Sequence, residues 1–215
     1  KRMKTVNREI AERLDEAGIS VVLLDRDLDR LPNRSRFDLV SIDNFRVGFM
    51  QTDYMFELGC KKIAYVGRGD SAPTIDLRIF GYKSAFEQRK LKYNPSLIFS
   101  GNVDEDDFVK KLAKSKPDAI VCSNDSTAAG LIKTFLRLGI QVPDDCRIIG
   151  VDDVKISNMT TVPLTSVHQP CRELGRAAVA TMIRRIENRK MGAQTILAEV
   201  EIVVRESCGS KKTAK

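Results

Sequence analysis

Glu57-Leu58-Gly59-Cys60-Lys61-Lys62-Ile63-Ala64-Tyr65-Val66-Gly67 decides the fold class. Residues 45–58 carry apolar side chains at helical spacing, and Gly59 stands where a left-handed stop is needed. After a polar turn, Ile63–Gly67 is an unbroken apolar run with no inside–outside alternation. Runs of that length suit a strand buried on both faces of a parallel sheet.

The same helix-then-strand unit recurs on both sides. Upstream, Val6, Ile10, Leu14 and Ala17 fall on one helical face, Gly18 stops the helix, and Val21–Leu24 reads as a strand. Downstream, helices near 76–90, 105–115 and 126–138 lead to strands at 96–99, 118–122 and 147–151. Alternating βα units with short connections predict an α/β fold of parallel sheets flanked by helices. Three segments break the rhythm: strand-like runs at Leu39–Asp43 and Leu164–Val167, and a closing strand over Thr195–Arg205 that follows a helix at 172–188. Strands without their own crossover helix suit a chain that passes between two lobes.

Composition narrows the class. The chain of 215 residues is 42% apolar and 30% charged, which is ordinary for a globular protein. No window approaches the ~18 consecutive apolar residues of a membrane helix, so no membrane partner is expected. The formal charge of +7 invites a nucleic-acid reading, but Lys1, Arg2 and Lys4 supply three of those charges and Lys211, Lys212 and Lys215 three more. The body is therefore close to neutral, and the ends read as solvated tails. The five cysteines are scattered and odd in number, which suits buried reduced thiols. With His168 as the single histidine and no clustered ligands, neither a metal nor a cofactor is expected. No nucleophile motif or catalytic triad order is present, so an enzyme is not expected.

Ligands of open parallel sheets bind past the carboxyl ends of the strands. The residues there are Asp25-Arg26, Asp43-Asn44, Gly67-Arg68-Gly69, Asn124-Asp125 and Asp152-Asp153. Carboxylates, amides and an arginine suit a hydroxyl-rich ligand. Asp and Asn after strands also cap helices and make turns, and that reading is favoured for Asn44, Asp125 and Asp153. For Asp25, Asn124 and Asp152 the two readings stand level. His168, beside Gln169-Pro170, reads as structural.

Taken in order, several stretches resemble the lactose/galactose-repressor (LacI/GalR) family of transcription regulators. They include Val21–Arg26, Ser41–Asn44, Glu57–Gly67, Arg78–Tyr82, Pro117–Asp125, Leu138–Asp145, Gly150–Asp153, Pro163–Pro170, Glu173–Gly175 and Val204–Ser207. The resemblance covers nearly all of residues 6–207. It implies a two-lobed periplasmic-binding-protein-like fold: an amino-terminal lobe, incomplete, from 1–40 and 168–196, and a carboxy-terminal lobe from 41–167 and 197–208. Residues 209–215 are expected to form a disordered tail. An effector would be held between the lobes by Asp25 and Arg26 on the first, by Asp43, Thr74, Arg78, Asn124 and Asp152 on the second, and by Gln169 near the return crossover.

The resemblance also implies a cytoplasmic homodimer that binds operator DNA through a headpiece not contained in this sequence. Arg26 and Val103 occupy positions where members often place an aromatic platform, and Ala72 lacks a long polar side chain. These departures favour a sugar, sugar acid or sugar phosphate over a purine, with Arg26 and Arg78 available to an anion. The alternative is a periplasmic sugar-binding protein of an uptake system, which would carry an export signal.

Overall fold

The computed structural model describes residues 2–69 and 72–209. The expected tail lies, from residue 210 onward, outside the described residues. The chain divides into two compact units. Unit 1 comprises Lys1–Asp43, Ala72–Thr74 and Pro170–Glu199; unit 2 comprises Asn44–Ser71, Ile75–Gln169 and Val200–Lys215.

Unit 1 holds helix α1 (Arg2–Glu16), strands β1 (Val22–Leu24) and β2 (Asp38–Ile42), helix α6 (Cys171–Glu187) and strand β8 (Thr195–Ala198). Its parallel sheet runs β1-β2-β8, and α6 packs on all three strands. Only the central strand β2 is nearly all buried. The Val21–Leu24 run, expected to be covered on both faces, is an edge strand with Leu24 exposed. The expected inward stripe of α1 is also exposed at Ile10 and Leu14, whereas Ala11 is buried.

Unit 2 holds α2 (Asn44–Glu57), β3 (Ile63–Gly67), α3 (Pro73–Gln88), β4 (Ile98–Ser100), α4 (Asp106–Lys114), β5 (Ala119–Cys122), α5 (Asp125–Arg137), β6 (Arg147–Asp152), β7 (Thr165–His168) and β9 (Glu201–Val203). Its sheet runs β4-β3-β5-β6-β7-β9, parallel except for β9. The unbroken apolar runs alternate after all, between two cores instead of between core and water. Ile63, Tyr65, Ala119, Val121 and Ile149 join Met55 of α2 and Tyr82 and Phe86 of α3. Ala64, Val66, Ile120, Cys122 and Ile148 face the other way, onto Val109 and Leu112 of α4 and Ala128–Phe135 of α5.

The structure corrects three expectations. The expected crossings at 40/41, 167/168 and 196/197 fall instead at 43/44, 169/170 and 199/200. Ladder pairing sets the first and last of these, because Leu39–Ile42 pair with Thr195–Ala198 along their length and keep both strands in the first sheet. Asp43, next to β2, falls in unit 1, and so does Thr74, because the first two residues of α3 group with unit 1 and the rest of that helix with unit 2. The single closing strand at 195–205 is two strands, β8 parallel in one sheet and β9 antiparallel in the other. Their separation follows from the crossing at 199/200. Finally, four cysteines are buried but Cys171, the first residue of α6, is exposed. No disulfide joins any of them among the described residues.

Candidate functional site

In unit 2 the chain goes from β3 outward to β4 and then back across to β5, so strand order reverses between β3 and β5. The crevice past the carboxyl ends at such a reversal is where open α/β sheets hold ligands. Arg78, in the second turn of α3, reaches it. Its Nε donates to Asn44 Oδ1 at 2.8 Å and its Nη1 to the Ser123 carbonyl at 2.5 Å, just past β5. Its Nη2 lies 4.0 Å from Asp152 Oδ1 at the end of β6, and the Arg78 side chain is only 6% exposed. A buried guanidinium needs such partners, since an unpaired one carries the full cost of lost hydration.

Two glycines make this possible. A Cβ on Gly48 of α2 would stand 1.9 Å from the Arg78 carbonyl, and one on Gly81 of α3 would stand 2.0 Å from the Phe45 carbonyl. The two helices therefore cross at backbone contact, which brings Asn44 within reach of Arg78.

Asn124 is the N-cap of α5, with its Oδ1 accepting from the Thr127 amide at 2.9 Å. That bond uses one lone pair of the oxygen, and the amide nitrogen adds two donor hydrogens. Asp152 has φ 111° and Asp153 φ 52°, two successive residues in a region L-residues rarely adopt. The Asp152 side chain is 33% exposed. Asp153 is structural: its carboxylate accepts from Arg205 Nη2 at 2.6 Å and lies 3.0 Å from His168 Nδ1. His168, expected to be structural, has the Asp153 carboxylate as a side-chain partner. Gln169 follows β7, and its backbone N–H donates to the Asp152 carbonyl at 3.4 Å.

In unit 1, Asp25 follows β1 with φ 74°, and its amide donates to the Val40 carbonyl. Its carboxylate accepts both Nε and Nη2 of Arg26, at 3.1 and 2.9 Å. The Arg26 side chain is 57% exposed and pairs with its neighbour Asp25. Asp43 is half-buried and Thr74 buried. Val103, read as a platform position, is wholly buried in the core of unit 2 and offers no face for stacking. Among the described residues no cluster of His, Cys, Asp or Glu suits a metal ion.

Two polar groups that support the Arg78 region are not among the effector contacts read from the sequence. Asn44, the first residue of α2, accepts from Arg78 Nε through its side chain, a partnership the cap-or-turn reading does not contain. Gln51, wholly buried, donates from Nε2 to the Gly150 and Cys122 carbonyls at 2.8 and 3.3 Å. Asn44, Val47, Gly48, Gln51 and Met55 form the buried face of α2. Two amides and a glycine on an otherwise apolar stripe were the available signal.

Residues 52–208 match the family model of the periplasmic binding protein-like domain. The chain belongs to that family. This periplasmic binding protein-like domain is 31% identical over 209 residues to the HTH-type transcriptional repressor PurR of Vibrio atlanticus (strain LGP32), covering 94% of this chain and 61% of the relative. It is 30% identical over 170 residues to the ribose operon repressor of Haemophilus influenzae (strain ATCC 51907 / DSM 11121 / KW20 / Rd), covering 77% of this chain and 51% of the relative. Its fold matches the transcriptional regulator CelR–cellobiose complex at a TM-score of 0.80 and 26% identity, over 90% of this chain and 60% of that one. The resemblance to LacI/GalR effector-binding domains therefore stands, and the domain spans about three fifths or less of the length of these relatives.

Proposed function

We propose that the chain is the effector-sensing part of a LacI/GalR-type transcription regulator, cytoplasmic and homodimeric, that binds a sugar or sugar-derived effector and thereby controls operator binding through a separate headpiece. The observation that carries this reading is the Arg78 arrangement. A buried guanidinium is held by Asn44 and Ser123 at the reversal of strand order, with the Asp152 carboxylate beside it and the Asn124 amide on the neighbouring strand end. Donors and acceptors in alternation fit vicinal hydroxyls, each of which both gives and takes a hydrogen bond. Because Asp152 offsets the Arg78 charge, a neutral polar sugar fits better than a sugar acid or sugar phosphate. Asp25, Arg26, Asp43, Thr74 and Gln169 are proposed as further effector contacts. That a ribose operon repressor and a regulator solved with cellobiose are relatives supports the carbohydrate class.

A thermal-shift screen of sugars, sugar acids, sugar phosphates and purine bases tests the proposal, because a ligand that binds only the folded state raises its melting temperature. Arg78→Ala should then weaken the hit by about 2 kcal/mol, the worth of a lost pair of charge-assisted hydrogen bonds. A purine base that stabilises the protein while no carbohydrate does would overturn the ligand class. Unchanged affinity in Arg78→Ala would overturn the site.

A further inference from the structure

We propose that Asp125 is a positioning residue for the effector site: through Ser166 it clamps the strained turn that aims Asp152 at Arg78. This rests on the reading of Asp152 as an effector contact. Asp125, the first residue of α5, is wholly buried, and its carboxylate faces away from solvent into the loop after β6. Its Oδ1 accepts from Ser166 Oγ at 2.6 Å; its Oδ2 accepts from Ser157 Oγ at 2.5 Å and from the Val154 amide at 3.0 Å. Ser166 Oγ in turn accepts from the Asp153 amide at 3.1 Å. The two backbone amides that follow Asp152 are thus fixed by one buried carboxylate, one directly and one through a hydroxyl.

The turn needs fixing. Asp152 and Asp153 both have positive φ, and such backbone persists only where the surroundings over-determine it. On the strand side, a Cβ on Gly150 would lie 2.2 Å from Asp125 Oδ1, so the carboxylate occupies the space beside β6 that any other residue would fill. A helix cap explains none of this. The capping hydrogen bond of α5 is made by Asn124, and the donors to Asp125 come from β7 and from the segment after β6. The neighbouring Asp153 carboxylate is held separately, by Arg205 and beside His168, so the clamp leaves Asp152 as the acid at this turn that reaches Arg78.

Two substitutions read in parallel test the proposal. Ser166→Ala cuts the link from Asp125 to the Asp153 amide. Ser207→Ala removes an equally buried hydroxyl that bonds the Ile148 carbonyl and the Thr165 amide, away from the turn. Amide exchange followed by NMR should accelerate at Asp153 and Val154 at least tenfold relative to Ile148 and Ile149 in Ser166→Ala, and not in Ser207→Ala. Affinity for D-ribose or cellobiose, measured by calorimetry, should fall at least tenfold in Ser166→Ala and stay within twofold in Ser207→Ala. Equal effects of the two substitutions, or an undisturbed turn in Ser166→Ala, would overturn the proposal. If the unaltered protein binds neither sugar, the carbohydrate that the thermal-shift screen identifies replaces them; if no carbohydrate binds, the effector reading fails, and the exchange measurement still decides whether the clamp exists. Should Ser166→Ala not fold, Asp125→Asn, which keeps the shape but reverses one hydrogen bond, must show the same selective acceleration.

Discussion

Asp38 in unit 1 and Asp125 in unit 2 are both completely buried carboxylates at element boundaries, and they are held in opposite ways. Asp38, the first residue of β2, receives the two-pronged fork of Arg185, with Nε and Nη2 each at 2.7 Å, and the Gln194 amide at 2.7 Å. Asp125 receives only neutral donors. Burial pushes the Asp38 carboxyl up, but the Arg185 hydrogen bonds, the Gln194 amide and the charges of Arg185 and Arg34 bring it below its ordinary value. Burial also pushes Asp125 up, and there the hydrogen bonds from Ser157, Ser166 and Val154 do not reverse the rise. A cation at hydrogen-bond distance offsets the lost hydration of a buried carboxylate; hydroxyls and amides fix its geometry without restoring its acidity.

The largest effect should come from breaking the charged pair. Arg185→Ala should destabilise unit 1 by about 3–5 kcal/mol, because Asp38 is left buried without its counter-charge. Arg185 also donates to the carbonyls of Arg189, Met191 and Gly192, which tie the end of α6 to the approach to β8. Urea unfolding that shows a loss under 1 kcal/mol would mean that water replaces the arginine and that the two acids are alike.

Glycine substitutions sharpen the contrast at intermediate size. Gly150→Ala must displace the Asp125 carboxylate and should cost about 1–3 kcal/mol, as overpacking does. Gly175→Ala, within α6 and with open space where its Cβ would stand, should instead stabilise by about 0.5–1 kcal/mol. Thermal melts of the two variants should shift in opposite directions, and a shared sign would show that Asp125 has room to move.

The smallest effect is in pH dependence, read as the stability difference between the protein and its Asp→Asn variants. Asp38 is depressed in the folded state, so its contribution is present above the unfolded value of about 3.9 and is lost as pH falls through the folded value. Asp125 is raised, so the folded state takes up its proton first, and stability is gained as pH falls through the folded value toward about 3.9. Denaturant titrations across pH 3–7 should give the two differences opposite slopes. Parallel slopes would remove the distinction between the acids.

The sequence was most legible where a single physical requirement acts locally. The apolar runs at 63–67, 119–122 and 148–151 carry no charged side chain, so a strand covered on both faces accommodates them, and the fold class followed. Gly18, Gly59 and Gly139 mark helix ends with positive φ because no other residue adopts it without strain. Arg78 came from the family resemblance, and the positions of Asn124 and Asp152 past strand ends followed from that order of elements. Their partners did not. That Asn44 holds Arg78 depends on α2 and α3 crossing at Gly48 and Gly81. That Arg26 pairs with Asp25, its neighbour at the left-handed position after β1, was likewise not legible. That Val103 is core depends on α5 passing over it at Gly130. Local pattern, set by backbone sterics and burial, determines which elements form and in what order. Which polar groups meet is decided only by close packing between segments distant in sequence, because a hydrogen bond discriminates over tenths of an ångström and no spacing along the chain encodes that distance.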